Sequence, residues 1–349
     1  MSSRIDPSLI PVDTYFEYAL SLTPKEKELL KEFSKWLPHE IIDAHVHSNT
    51  RKQCKSIDEY YFHVPDTTFP WFEISKHIKV NRILYPTNKV KILVFPMPYR
   101  GIAHRAATDY IVYQATKNST IAPILYGIPD DIRYTISMLQ TGQFHGLKMY
   151  REYFSPPVKK IKEYFPARVL RCCEEINIPI ILHLPRSLVE CINELLAIIE
   201  EFPDLKIVLA HSGLVFSPSK NLTETFLRLN RCENVYFDTA MVTSAKVLKM
   251  VFDILGYHKI IFGTDQPLNL IRGRMYKNPT LGIRIATEYP YHWADLKEQK
   301  EFSQYSIDSV HFHWEILLAL QKAIWLYGED KYIKNCIFRK NAKRVFGLR

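Results

Sequence analysis

The sequence predicts an α/β fold, a distorted (β/α)8 TIM barrel, and three observations carry that prediction. Apolar runs of strand length occur eight times along the chain. From the second run onward they start about 25 to 32 residues apart, the length of one strand-plus-helix unit. Runs such as Lys206-Ile207-Val208-Leu209-Ala210 are apolar on both faces, as in a parallel sheet covered by helices.

Residues 1–40 read as a helical extension, with Thr23-Pro24-Lys25-Glu26 as an N-cap and first turn. The barrel is expected over 41–349. Its strands are expected at 41–47, 90–95, 122–126, 146–150, 178–182, 206–210, 234–237 and 259–262. Amphipathic stretches at 103–116, 132–139, 167–176, 188–202 and 245–255 supply covering helices. The first strand is followed by about 40 residues rich in aromatics (Tyr60, Tyr61, Phe62, Phe69, Trp71, Phe72). About 50 residues follow the eighth strand, up to His313. Both loops belong on the C-terminal face, where barrel active sites lie, and are candidate lids. His311-Phe312-His313 reads as the polar lead-in to a helix, and the aromatics at 60–72 as lid packing. His63, His77, His104, His145, His258 and His292 read as surface or packing residues.

A chain of 349 residues suffices for one such barrel, and 47% hydrophobic content for its core. The net charge of +9, from 46 basic and 37 acidic residues, is spread without a block of like charge. That pattern argues against nucleic-acid binding and suits a small, anionic substrate. Six cysteines without a C-x-x-C pair read as reduced thiols. Met1-Ser2-Ser3-Arg4-Ile5-Asp6 lacks a signal-peptide core, and no run is long enough to span a membrane. A cytoplasmic protein with no membrane partner is expected.

The chemistry concentrates at strand ends. In Ile41-Ile42-Asp43-Ala44-His45-Val46-His47 the two histidines sit i, i+2, so on a regular strand both imidazoles point the same way. Neutral imidazole is the commonest protein ligand for zinc and similar ions. Such a pair alone is a weak signal. It gains force from His183 at the end of the fifth strand, His211 at the sixth, Asp265 at the eighth and Lys148 at the fourth.

These motifs resemble the amidohydrolase superfamily, and within it the amidohydrolase 2 branch that includes aminocarboxymuconate semialdehyde decarboxylase. The matching segments are "IIDAHVH", "ILH", "LAHSG", "FGTDQP" and the tail "FRKNAKRVFGLR", spanning about residues 41 to 349. The resemblance implies one divalent ion, zinc foremost with Mn²⁺ or Fe²⁺ as alternatives, held by His45, His47, His183 and Asp265. It implies His211 as a catalytic histidine beside them. Lys148 has two readings: a carboxylated bridge between two metals, as in binuclear members, or a contact to substrate. The branch tends to carry His where this sequence has Tyr150. Arg186, Arg151 and Tyr150 are candidate contacts for an anionic substrate. Asp43, of the same strand parity as His45, is a candidate for orienting a ligand histidine from behind. A homodimer is common in the branch.

A metal held by three imidazoles and a carboxylate keeps a position open and lowers the pKa of bound water toward about 7. Asp265 is placed to accept that water's proton, and His211 to stabilise an oxyanion or pass the proton on. The first expectation is therefore hydrolysis of an ester, lactone or amide. The alternative is non-oxidative decarboxylation of an aromatic or unsaturated acid by the same residues. A third reading is a non-catalytic binding protein on a retained barrel.

Overall fold

Eight short parallel strands close into a barrel in the computed structural model of the chain. It describes residues 4–5, 12–54, 57–58, 69–98, 101–278, 282–287, 309–328 and 331–349. The strands are β1 (Glu40–His47), β2 (Lys89–Phe95), β3, in the two pieces Ile121–Pro123 and Leu125–Tyr126, and β4 (Leu147–Met149). They continue as β5 (Ile180–Leu182), β6 (Ile207–Leu209), β7 (Val235–Asp238) and β8 (Ile260–Ile261). β1, β2 and the first piece of β3 pair in one sheet, and the second piece of β3 through β8 in another. The break in β3 follows from Pro123, which has no N–H to donate to a ladder. Ile124 carries the strand across the gap, its N–H reaching Val94 O at 2.8 Å, and Leu125 N–H bonds to Gly146 O on β4.

The ring closes between its ends. Ala44 N–H donates to Phe262 O, Asp265 N–H to His45 O and His47 N–H to Gln266 O, at 2.8–2.9 Å. The backbone that closes the barrel thus fixes Asp265 beside both first-strand histidines.

Inside the ring Ile42, Ala44, Leu93, Phe95, Ala122, Ile124, Tyr126, Ile181, Val208, Ala210, Tyr236 and Ile261 form one buried cluster. Ala342 and Val345, from the helix Asn341–Val345, and Phe346 just after it pack into the same cluster. Alternate residues face outward: Leu147, Leu182 and Leu209 belong to the larger core shared with the helices. Each such side chain contributes roughly 1.5–3 kcal/mol by leaving water. The covering helices His104–Lys117, Ile132–Leu139, Ala167–Glu175, Leu188–Glu201 and Ala245–Leu255 stand where the amphipathic stretches put them. Leu222–Leu229 adds a helix that the sequence reading did not name. Its buried residues Leu222, Thr225, Phe226 and Leu229 follow the same spacing, over only two turns.

Two helices, Val12–Leu20 and Pro24–Trp36, occupy the N-terminal extension. Thr23 and Glu26 form a capping box, each side chain accepting the other's backbone N–H. Phe33 stacks on Trp314 at 6.1 Å, and Trp36 meets Phe338 edge-on at 5.7 Å.

Beyond β8 the chain builds a small antiparallel sheet, β9 (Arg272–Asn278), β10 (Gly282–Thr287) and β11 (Val310–His311), in the order β10-β9-β11. Gly273 is required there: a Cβ would lie 2.5 Å from the Ala286 carbonyl oxygen. His311 and His313 are not a solvated lead-in to the helix Phe312–Gly328. Both are buried, because Glu26 from the extension meets His311 and Tyr85 packs on His313.

Phe69, Trp71 and Phe72 are buried in the main core. Tyr60, Tyr61, Phe62, His63 and His292 lie outside the described residues. All six cysteines are free thiols, and among the described residues no helix is long and apolar enough to cross a membrane.

Candidate metal centre

The register of β1 against β2 shifts between Asp43 and Val46. Before this irregularity Ile42 and Ala44 face the barrel interior; after it Val46 packs outward with Ile92 and Val94. Bulges commonly re-aim side chains next to active sites. Here the shift turns His45 and His47 to the barrel mouth. Their rings lie 5.4 Å apart, and that of His45 lies 5.0 Å from His211.

Hydrogen bonds fix the tautomers. His45 Nδ1 lies 2.8 Å from Asp238 Oδ2, and a carboxylate oxygen only accepts, so Nδ1 holds the proton. His47 Nδ1 likewise donates to Pro96 O at 3.1 Å and His211 Nδ1 to Ala240 O at 3.0 Å. Each Nε2 is left with a lone pair. Two of these lone pairs face one atom: Asp265 Oδ1 is 3.3 Å from His45 Nε2 and 3.1 Å from His47 Nε2. Lone pairs and an anionic oxygen repel at that separation unless a cation stands among them.

His45 Nε2, Asp265 Oδ1 and His183 Nδ1 are buried without a hydrogen-bond partner. Ligand atoms of His45, His211 and Asp265 lie within 4.8 Å of one another. Imidazole nitrogens with one carboxylate suit Zn²⁺, Mn²⁺ or Fe²⁺. The residues present fit a divalent ion.

His183 stands against His211 and Tyr150, with ring centroids 5.2 and 5.4 Å away. It lies outside the tight group of three that includes His211. Burial, then His211 and Lys148, hold the His183 pKa well below its ordinary value. Burial and Lys148 do the same to His45, against the pull of Asp265. Burial raises the Asp265 carboxyl, and protons on the facing His45 and His47 rings would instead bring it well below the usual range. His211 and Asp265 both adopt left-handed backbone, with φ of 55° and 68°. Strained conformations of this kind in non-glycine residues gather at functional sites.

Asp238 is the functional residue that the sequence reading missed. It ends β7, where a carboxylate at a barrel strand end is itself a signal, but the strand was expected to stop at 237. Its Oδ1 accepts from His211 N–H at 2.7 Å and Ala240 N–H at 3.1 Å, while Oδ2 holds the His45 ring. Burial pushes its pKa up to about 6, with His211 and Lys148 opposing. Asp43 bonds the backbone of His45, while the ring bonds Asp238. On the other side of the β1 irregularity, the Asp43 carboxylate accepts from the backbone N–H of His45 and of Thr264 and from the Thr264 hydroxyl.

The remaining candidates separate clearly. Tyr150 is buried, and its hydroxyl lies 3.5 Å from His47 Nε2. Lys148 is fully buried, its Nζ 4.6 Å from the Tyr150 ring centre with no hydrogen-bond partner, and burial draws its pKa down to about 8. Arg151 pairs with Glu152 at 2.7 Å. Arg186 is exposed and reaches back to Lys159 O and toward Glu190, so it does not line the cavity as a substrate anchor would.

A cavity of about 410 Å³ opens over this group. His47, His183, His211 and Asp265 form one part of its wall. Met97, Pro98, Leu214, Phe216, Met241 and Leu268 form most of the rest, with Tyr150 and Glu152. Met275 of β9 and Ile285 of β10 complete it, so the sheet beyond β8 walls the site. Neither Lys148, Arg151 nor Arg186 is among the lining residues.

The amidohydrolase family model matches residues 138–348. Among curated protein sequences none matches the chain. Solved structures similar to it include amidohydrolase 2 from Bifidobacterium longum subsp. infantis, at 13% identity and TM-score 0.56, over 89% of this chain and all of that one. Another is 5-carboxyvanillate decarboxylase from Novosphingobium aromaticivorans, complexed with manganese and 4-hydroxy-3-methoxy-5-nitrobenzoic acid. It matches at 12% identity and TM-score 0.56, over 89% and 96% of the two chains. A third is 2,6-dihydroxybenzoate decarboxylase from Rhizobium, at 14% identity and TM-score 0.54, over 89% and 99%. At such identities the likeness speaks for the fold, a TIM barrel. With the family model matching more than half of its length, the chain belongs to the amidohydrolase family of metal-dependent enzymes.

Proposed function

We propose that this chain is a metal-dependent, non-oxidative decarboxylase of a small aromatic acid bearing a hydroxyl ortho to the carboxylate. His45, His47 and Asp265 would hold the ion, with His183 beside them. The observation that carries the reading is the cavity: His47, His183, His211 and Asp265 stand together on its wall, and apart from Tyr150 and Glu152 the rest of its lining is apolar. Loss of CO2 needs a planar ring gripped by apolar walls and little water near the developing carbanion.

Held by these residues, a divalent ion would supply Lewis acidity toward the substrate oxygens. The bond between ring carbon and carboxylate carbon breaks, its electron pair stays on the ring carbon, and CO2 leaves. The proton that replaces it comes from solvent, and His211 and Asp265, both on the cavity wall, stand where they can pass it to the ring carbon. His211 Nε2, with its lone pair, is the atom that accepts it from solvent. Asp238 holds the His45 ring throughout.

Hydrolysis is the second reading, favoured by the position of Asp265, a carboxylate on the cavity wall within 3.3 Å of His45 and His47. The two separate in one experiment. Metal-loaded protein is incubated with ortho-hydroxybenzoic acids and, separately, with aryl esters and lactones. Release of CO2 with a ring C–H product supports decarboxylation. Turnover of esters or lactones without CO2 from any acid overturns it in favour of hydrolysis. Zinc, manganese and iron are compared by reconstitution.

A further inference from the structure

Resting on the reading of an aromatic acid held at a divalent ion, we infer that Tyr150 is a substrate-binding residue. Its hydroxyl donates a hydrogen bond to an anionic oxygen that the substrate brings to the ion, that of the carboxylate or of the ortho hydroxyl. Tyr150 follows β4, at the head of the turn Arg151–Tyr153, and lines the cavity. It carries the one hydroxyl among the described lining residues. At His47 and His211 the ring protons are already committed. Their Nδ1 atoms donate to the carbonyl oxygens of Pro96 and Ala240, which leaves lone pairs at Nε2. Asp265 adds an anionic oxygen beside them. An anionic substrate therefore meets acceptors at these three residues and a donor at Tyr150, since a phenol keeps its proton at neutral pH.

The placement of the hydroxyl sharpens the choice. It lies 3.5 Å from His47 Nε2, at the long limit for a hydrogen bond. In the proposed site that lone pair goes to the divalent ion. The hydroxyl then needs another acceptor, because a buried donor without a partner is costly. An anionic oxygen bound beside His47 supplies one, and the bond to it is charge-assisted. The ring is held for that role. Tyr150 is buried, its ring stacks with Tyr126 at 6.0 Å, and Lys148 Nζ sits 4.6 Å from its centre. A donor fixed before the ligand arrives loses little freedom when the ligand binds.

Direct binding to the metal-loaded protein tests this without turnover, by calorimetry with benzoate and 2-nitrophenol. Benzoate has the carboxylate alone; 2-nitrophenol has the ortho oxygen, with a nitro group in place of the carboxylate. In Tyr150→Phe at least one of the two binds about ten-fold or more weaker than in the unmodified protein, the loss of a bond to a charged group. A loss for benzoate assigns the bond to the carboxylate, and a loss for 2-nitrophenol alone assigns it to the ortho oxygen. Metal affinity, from competition with a chelator, stays within about two-fold, whereas a group that only orients a ligand imidazole would cost about 10–100-fold. Thermal melts report folding, and Tyr150→Leu, which also lacks the hydroxyl, repeats the measurement should the first variant fail to fold. Affinities for both probes within about two-fold of the unmodified protein overturn the assignment, as does a parallel fall in metal affinity. Failure of both probes to bind the unmodified protein instead sinks the aromatic-acid reading itself, and this assignment with it.

Discussion

Arg272, at the start of the sheet beyond β8, donates through Nη2 to Oε2 of Glu26, at 2.8 Å, with both side chains buried. Nε reaches Oε1 at 3.1 Å, so the contact is bidentate. Glu26 is the capping-box residue of the helix Pro24–Trp36, and it also accepts from His311 N–H at 2.9 Å. One carboxylate therefore joins the N-terminal extension to β9 and β11, the sheet whose Met275 and Ile285 wall the cavity.

Breaking that pair from one side strands a buried charge. Glu26→Ala is expected to cost about 3–5 kcal/mol in urea unfolding, as is usual for buried pairs losing one partner. Glu26→Gln with Arg272→Met should recover part of that loss. Equal losses in the single and double variants would contradict a coupled pair.

This contact also shows where sequence reading stops. The capping box at Thr23 and Glu26 is legible because its partners are three residues apart. The second role of Glu26 is not, because Arg272 lies 246 residues away. The same distinction runs through the barrel. Its strands show as apolar runs and its helices as periodic ones, since burial leaves a local mark. The shift in β1 register leaves none, so Asp43 shares the parity of His45 in sequence and loses it in space. The ring of His45 is held instead by Asp238, 193 residues on. Arg186 is close to His183 in sequence, yet its side chain leaves the mouth for Lys159 O.

Asp238 fixes the His45 tautomer, so Asp238→Asn should weaken metal binding by about 10–100-fold. An amide can donate as well as accept, so it no longer compels Nδ1 to carry the proton. Competition against a chromophoric chelator measures this. Affinity within two-fold of the unmodified protein would remove Asp238 from the site. His45→Ala and Asp265→Ala should abolish turnover and lower metal content together.

Chelation should lower the melting temperature, because the ion binds the folded site and not the open chain. Returning Zn²⁺ or Mn²⁺ at about 100 times its Kd should restore about 2.7 kcal/mol. The same titration on His45→Ala should give little shift. An unchanged melt on adding either ion to metal-free protein would count against a built site.

Acid should destabilise the fold through its buried histidines. Burial pulls the pKa of His104 and His311 from 6.5 down to about 4, and that of His313 to about 3. These rings stay neutral in the folded chain, whereas the unfolded chain takes up their protons below about pH 6.5. Stability is therefore full above pH 6.5 and falls as pH drops toward 4, by up to about 1.4 kcal/mol per unit for each histidine. Urea melts from pH 7.5 to 4.5 check the slope. His311→Gln should flatten it, and a flat profile in the unmodified protein would contradict burial of these rings in neutral form.

Gly263, just after β8, tests how tightly the centre is built. A Cβ there would lie 2.9 Å from His45 Cβ and 3.6 Å from Asp238 Cβ, against the two residues that set the ring. A contact under 3.0 Å forces a shift, and His45 has little room, since its ring is fully buried and tied to Asp238. Gly263 N–H also bonds the Thr239 hydroxyl at 3.0 Å, so the backbone at 263 is held from the other side. The strain therefore falls on the imidazole, whose Nε2 must aim within about 10–20° to hold a metal well. Gly263→Ala should cut metal affinity by about ten-fold or more while costing about 1–3 kcal/mol in stability. The chelator competition and a urea melt report the two effects separately. Lost stability with metal affinity unchanged would mean that β8 yields rather than His45, and that the ring is less firmly fixed than its bond to Asp238 implies.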